Sequence, residues 1–116
     1  MEQLNAAFDA GINFLDTAEM YPVPTEPETQ GATDRTIAAW LKTKKRDEVI
    51  LASKVCGASE RITWVREDGR GTRVTWEDIV ESVDAALKRL GTEYIDCLTS
   101  IVFLQIHWSD RYVPLL

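Results

Sequence analysis

Four residues able to hold or move a proton fall near the ends of strand-like segments: Asp16, Tyr21, Lys54 and His107, the only histidine in the chain. Each alone has an ordinary explanation. A strand-end aspartate often caps the next turn, and a tyrosine in a proline-rich loop can simply prop that loop. A lysine closing an apolar run can snorkel to solvent, and a lone strand-end histidine is more often structural than catalytic. Together they describe a device. A phenol with a reference pKa of about 10 is a weak donor at neutral pH unless a nearby cation stabilises its anion. Lys54 would be that cation, Asp16 would hold Lys54 and keep it charged, and His107 would bond the same substrate oxygen. Such a pocket protonates a carbonyl oxygen while hydride reaches the carbon from a cofactor. No metal enters, because one histidine and two distant cysteines, Cys56 and Cys97, give no ligand cluster.

The elements that must position these residues alternate. Leu4, Ala7, Phe8 and Ile12 recur at helical spacing, and Gly11 is placed to stop that helix. INFLDTA (12–18) reads as a short buried strand ending near Asp16. The loop EMYPVPTEPETQGAT (19–33) carries Pro22, Pro24 and Pro27, which oppose regular structure. DRTIAAWLKTKK (34–45) is a second helix, with Ile37, Trp40 and Leu41 on one face and lysines in its last turn. VILASKV (49–55) is a second strand, apolar enough to be covered on both faces. A long loop with four arginines follows, from Cys56 to Val74.

Thr75 opens TWED, a capping-box start with Asp78 in place of the usual Glu. The third helix carries Ile79, Val83, Ala86, Leu87 and Leu90 on one stripe and Gly91 as its stop. YIDCLTSIVFLQIHW (94–108) is a third strand-like run. This order predicts parallel strands with right-handed crossovers. Two architectures fit, part of a (β/α)8 barrel and a flavodoxin-like doubly wound sheet. In both, function sits at the carboxyl ends of the strands. The two long loops lie on that side.

With 116 residues, 45% hydrophobic and 28% charged, the chain has the composition of a small α/β domain. A net charge of −6 and no lysine-arginine block argue against nucleic acid as a partner. The apolar stretches are far shorter than the roughly 20 residues that span a bilayer, so no membrane is expected. MEQLNAAFDAG reads as an amphipathic helix, not a signal peptide. The cysteines carry no CxxC spacing, so a reduced protein is expected, in the cytoplasm or in an organelle such as a plastid.

Five blocks then carry a resemblance: AGINFLDTAEMYP, ETQGATDRTIAAWL, RDEVILASKV, SVDAALKRLGTEYID and LQIHW. In this order they resemble the aldo-keto reductases, and DTAEMYP with ETQG is similar to the Tas-type branch, itself similar to potassium-channel β subunits. The resemblance implies a (β/α)8 TIM barrel of parallel strands that reduces aldehydes or ketones with NADPH. It implies the tetrad Asp16, Tyr21 as proton donor, Lys54 and His107, with Trp108 on the substrate side. The loop Cys56–Val74 would be a variable substrate-side loop, or else a solvated surface loop. The partner implied is a small-molecule carbonyl substrate.

The chain also departs from the family. A β-hairpin and a first strand precede the opening helix in the family and are not found here. The family's fourth strand reads roughly YIDLLQIHW, whereas here CLTSIVF separates YID from LQIHW, about six residues too many. At about 3.3 Å per residue those residues displace His107 by roughly 20 Å along an extended strand, so YID or LQIHW can sit in register but not both. The family's nicotinamide- and phosphate-binding residues come later than Leu116. Residues 1–116 are therefore expected to be an incomplete barrel domain, the segment from the first barrel helix to the fourth strand, inactive alone. Its open edges would favour self-association. A non-catalytic half-barrel interaction module, or a regulatory protein like a channel β subunit, is the alternative.

Overall fold

The computed structural model describes residues 1–101. His107 and Trp108 lie outside the described residues. The elements run α1 (Glu2–Asp9), β1 (Phe14–Asp16), α2 (Ala32–Leu41), a 3-10 turn (Arg46–Glu48), β2 (Ile50–Cys56), α3 (Trp76–Leu90) and β3 (Cys97–Ile101). The strands form one parallel sheet in the order β1-β2-β3.

The caps read from the sequence account for the helix ends. Gly11 (φ +88°) and Gly91 (φ +64°) take the left-handed conformation just past α1 and α3. Thr75 caps α3 by accepting the Asp78 N–H at 3.3 Å. At the start of α2, Gly31 is left-handed, and a Cβ there would lie 2.6 Å from Cδ of Arg89. The positive φ favours glycine at this position.

The helices cover one face of the sheet, while the other, more open face is exposed at Phe14 and Ile50 and covered at Cys56 by Ala18, Met20 and Ile62. Leu51 packs with Ile37, Trp40 and Leu41 of α2, Ala86 and Leu90 of α3, and Val49. Leu4 and Phe8 of α1 join this cluster, where Phe8 meets Trp40 edge-on at 5.5 Å and Asn5 accepts the Trp40 indole N–H at 2.8 Å. On the other face Phe14 and Ile50 are 51% and 41% exposed. Sequential strand order with both crossover helices on one face is the arrangement of a barrel segment. One half of a doubly wound sheet has the same local arrangement, so three strands alone do not separate the two architectures.

Three elements differ from expectation. β1 keeps only Phe14–Asp16 of the stretch 12–18, and it is not a buried strand: Ile12 is 60% exposed and Asp16 also faces the open side. α2 ends at Leu41, so Lys42, Lys44 and Lys45 follow the helix instead of filling its last turn. Lys44 sits over the Phe8 and Trp40 rings instead. In β2 Ile50 is exposed and Lys54 only partly covered, so the strand is apolar without being covered on both faces.

At the far edge, CLTSI fills the strand. Ala52 pairs with Cys97, Lys54 with Thr99 and Cys56 with Ile101. YID thus takes the approach to the strand in register, and LQIHW lies beyond, outside the described residues. Asp96 anchors this edge by accepting the Leu51 N–H at 2.9 Å and Nη2 of Arg46 at 2.7 Å. These bonds hold its carboxyl below the usual carboxylate range.

Candidate active site

Asp16 ends β1, and Ala52 stands beside it in β2. Lys54 is two residues beyond Ala52, which in a strand returns the side chain to the same face. The two side chains meet there, with Lys54 Nζ donating to Asp16 Oδ2 and, at 3.0 Å, to the Thr17 carbonyl. The same Nζ stands 5.2 Å from the centroid of the Tyr21 ring. Three of the four residues singled out by chemistry are therefore neighbours at the carboxyl end of the sheet. The neighbourhood of His107 and Trp108 lies outside the described residues.

The segment between Asp16 and Tyr21 is held at nearly every residue. Thr17 N–H donates to the Ala52 carbonyl at 3.0 Å, Glu19 N–H to Lys54 O at 3.1 Å, and Tyr21 N–H to Ala18 O at 3.0 Å. The Tyr21 carbonyl accepts Gly31 N–H at 2.9 Å, which ties the phenol's own residue to the start of α2. Ala18 and Met20 are buried with Cys56 and Ile62, and Tyr21, Trp64 and Val65 pack against them.

Two buried carboxylates complete the frame, and the residue-by-residue reading missed both. Asp34, fully buried, accepts Thr17 Oγ1–H at 2.7 Å and Arg89 Nε–H at 2.8 Å. Glu19, 1% exposed, accepts the Cys56 N–H at 2.9 Å and an ion pair from Arg66. Arg66 is itself buried and reaches Asp78 at 3.1 Å through Nε. Burial by itself would lower the Arg66 pKa, but the bond and charge of Glu19, then Asp78, outweigh it and raise it.

Asp78 does not complete the expected capping box, because its carboxylate is turned to the loop and not to the Thr75 N–H. Its carboxylate gathers Arg66, Arg70 and the Arg73 N–H. The loop between β2 and α3 is therefore an ordered structure and not a solvated tether. Ser59 and Thr72 pair across it, and Thr72 Oγ1 donates to the Gly57 carbonyl at 2.5 Å.

Cys56 and Cys97 are free thiols, and Cys56 is buried in this region. Burial pushes its thiol up, which leaves it protonated and unreactive at neutral pH. No group of His, Cys, Asp and Glu able to hold a metal occurs among the described residues. No helix among them is long and apolar enough to cross a membrane.

The sequence model of the Aldo/keto reductase family matches residues 1–116. The chain belongs to that family. It is 41% identical over 114 residues to Protein tas of Escherichia coli (strain K12), covering 94% of this chain and 30% of that protein. Against the aldo-keto reductase YhdN of Bacillus subtilis (strain 168) the identity is 35% over 115 residues, 99% of this chain and 29% of YhdN. Among solved structures, the thermostable aldo-keto reductase Tm1743, crystallised with the inhibitor epalrestat, aligns with a TM-score of 0.57 at 29% identity. That alignment covers 84% of this chain and 28% of Tm1743. The chain thus spans about 30% of the length of the aldo-keto reductases it matches, and its three-stranded sheet is part of their barrel.

Proposed function

We propose that this chain supplies the proton-transfer side of an aldo-keto reductase that reduces aldehydes or ketones to alcohols with NADPH. Tyr21 is the proton donor, Lys54 the cation beside it and Asp16 the anchor of Lys54. His107 and Trp108, which the family resemblance adds to this set, lie outside the described residues. The observation that carries this reading is the ammonium of Lys54 held between Asp16 and the Tyr21 ring on the open face of the sheet. A fixed cation there stabilises the phenolate left when Tyr21 gives up its proton.

The described residues supply groups suited to the carbonyl end of the reaction. Three of the four arginines in the loop after β2 are engaged by carboxylates: Arg66 with Glu19 and Asp78, Arg70 with Asp68, Asp78 and Glu81, and Arg73 with Glu60. The chain is thus an incomplete reductase domain, and the cofactor is held by barrel strands outside the described residues. In barrels of this type the phosphate site follows strands seven and eight.

Titrating the purified chain with NADPH and following nucleotide fluorescence tests this directly. No saturable binding is expected. Saturation at micromolar NADPH would overturn the incomplete-domain reading. When the chain is joined to the remaining barrel, Tyr21→Phe should cut carbonyl reduction by about a hundredfold or more with unchanged circular dichroism. Full activity in that variant would remove Tyr21 as the donor.

A further inference from the structure

Arg66 lies twelve residues beyond Lys54 in the chain, in a loop that no active-site motif marks. Yet its guanidinium is buried, and the carboxylate it grips belongs to the segment that carries the phenol. Glu19 stands three residues after Asp16 and two before Tyr21. Every polar group of Glu19 is used. Its N–H meets the Lys54 carbonyl, its carbonyl accepts Nε2 of Gln30, and its side chain takes the Cys56 N–H and Arg66. The far side of Arg66 is fixed in turn by Asp78 in the first turn of α3.

A charge with no exposure is tolerated only when fully paired. The Glu19 carboxylate can therefore stay in place only while Arg66 does. Without Arg66 it loses the charge that pairs it, and the bonds that hold Thr17–Tyr21 are disturbed with it. Through this pair the loop between β2 and α3 reaches the segment that carries the phenol.

We propose that Arg66 is a positioning residue of the proton-transfer site, acting through Glu19 to set Tyr21 against Lys54. This role rests on the assignment of Tyr21 as donor, but the geometry beneath it can be tested without turnover.

The chain is labelled with 3-fluorotyrosine, and the Tyr21 signal is assigned by its loss in Tyr21→Phe. Arg66→Met keeps the length of the side chain and removes its charge. It should shift the Tyr21 fluorine resonance and raise exchange of the Glu19 and Tyr21 amides roughly tenfold. Arg66→Lys, which retains a cation for Glu19, should restore most of both. Arg73→Met, which breaks an exposed pair in the same loop, should change neither.

If the Tyr21 resonance stays in place in Arg66→Met, or if Arg73→Met shifts it equally, the positioning role is overturned. Should Arg66→Met not fold, Glu19→Gln asks the same question, and an unshifted Tyr21 signal there also overturns it. Turnover in the joined barrel separates the two ideas. A shifted resonance together with full activity in Tyr21→Phe would leave the tether standing and remove the reductase assignment.

Discussion

Lys54 has two oxygen acceptors and one aromatic neighbour, while its side chain remains 19% exposed and that of Asp16 52%. Exposed ion pairs contribute little to folding, at most about 1 kcal/mol. A pair in that position is therefore better explained by what it faces than by stability. Lys54→Met should change unfolding free energy by no more than about 1 kcal/mol in urea titrations. In the joined barrel it should lower reduction by about a hundredfold or more, as loss of a proton-transfer group does. A large stability loss would instead mark the pair as structural. Asp16 and Lys54 were legible in the sequence because each sits near the end of an apolar run, where its type is out of place, whereas Tyr21, in a proline-rich loop, was legible only beside them. Glu19 and Arg66 were not. An acid in a proline-rich loop and an arginine in a long loop both read as solvated, and 47 residues separate them, so no periodicity joins them. Their burial is a property of the folded loop alone.

The helices were the easiest elements to read, because their ends carry local chemistry at Gly11, Thr75 and Gly91. The strands were harder. A parallel strand has no turn signal at its ends, and β1 needs only three residues to make its ladder to β2. The run 94–108 held two candidate strands, and hydrophobicity could not choose between them. Asp96 helps to decide. Its carboxylate closes on Leu51 and Arg46, and that fixes the next residue, Cys97, opposite Ala52. The depressed pKa of Asp96 gives a signed expectation. A folded-state pKa below the unfolded value of about 3.9 contributes stability that is present above that pH and lost as pH falls through the folded value. Thermal melts should therefore lose stability below about pH 4, and Asp96→Asn should lower the melting temperature at pH 7 while flattening that acid limb. An unchanged acid limb would show that Asp96 does not pin the register.

At the scale of the molecule, the open face is the dominant feature. Phe14 and Ile50 stand exposed beside the site, and β1 and β3 are unpaired edges among the described residues. Apolar area of this kind drives association, and edge strands accept further strands. Size-exclusion chromatography of the chain alone should show concentration-dependent oligomers. Phe14→Asn with Ile50→Thr should shift them toward monomer with little loss of helix signal, whereas a concentration-independent monomer in the parent chain would refute self-association through this face. The buried pair of Glu19 and Arg66 has another consequence, in inheritance. The long loop looks like the natural unit of exchange when one reductase borrows another's substrate preference. Here it carries one half of a charge pair whose other half lies in the segment that carries Tyr21. A transplanted loop lacking Arg66 would strand a carboxylate in the interior. Lineages that trade this loop are thus expected to change the residue at position 19 with it, so that specificity and donor geometry pass on together.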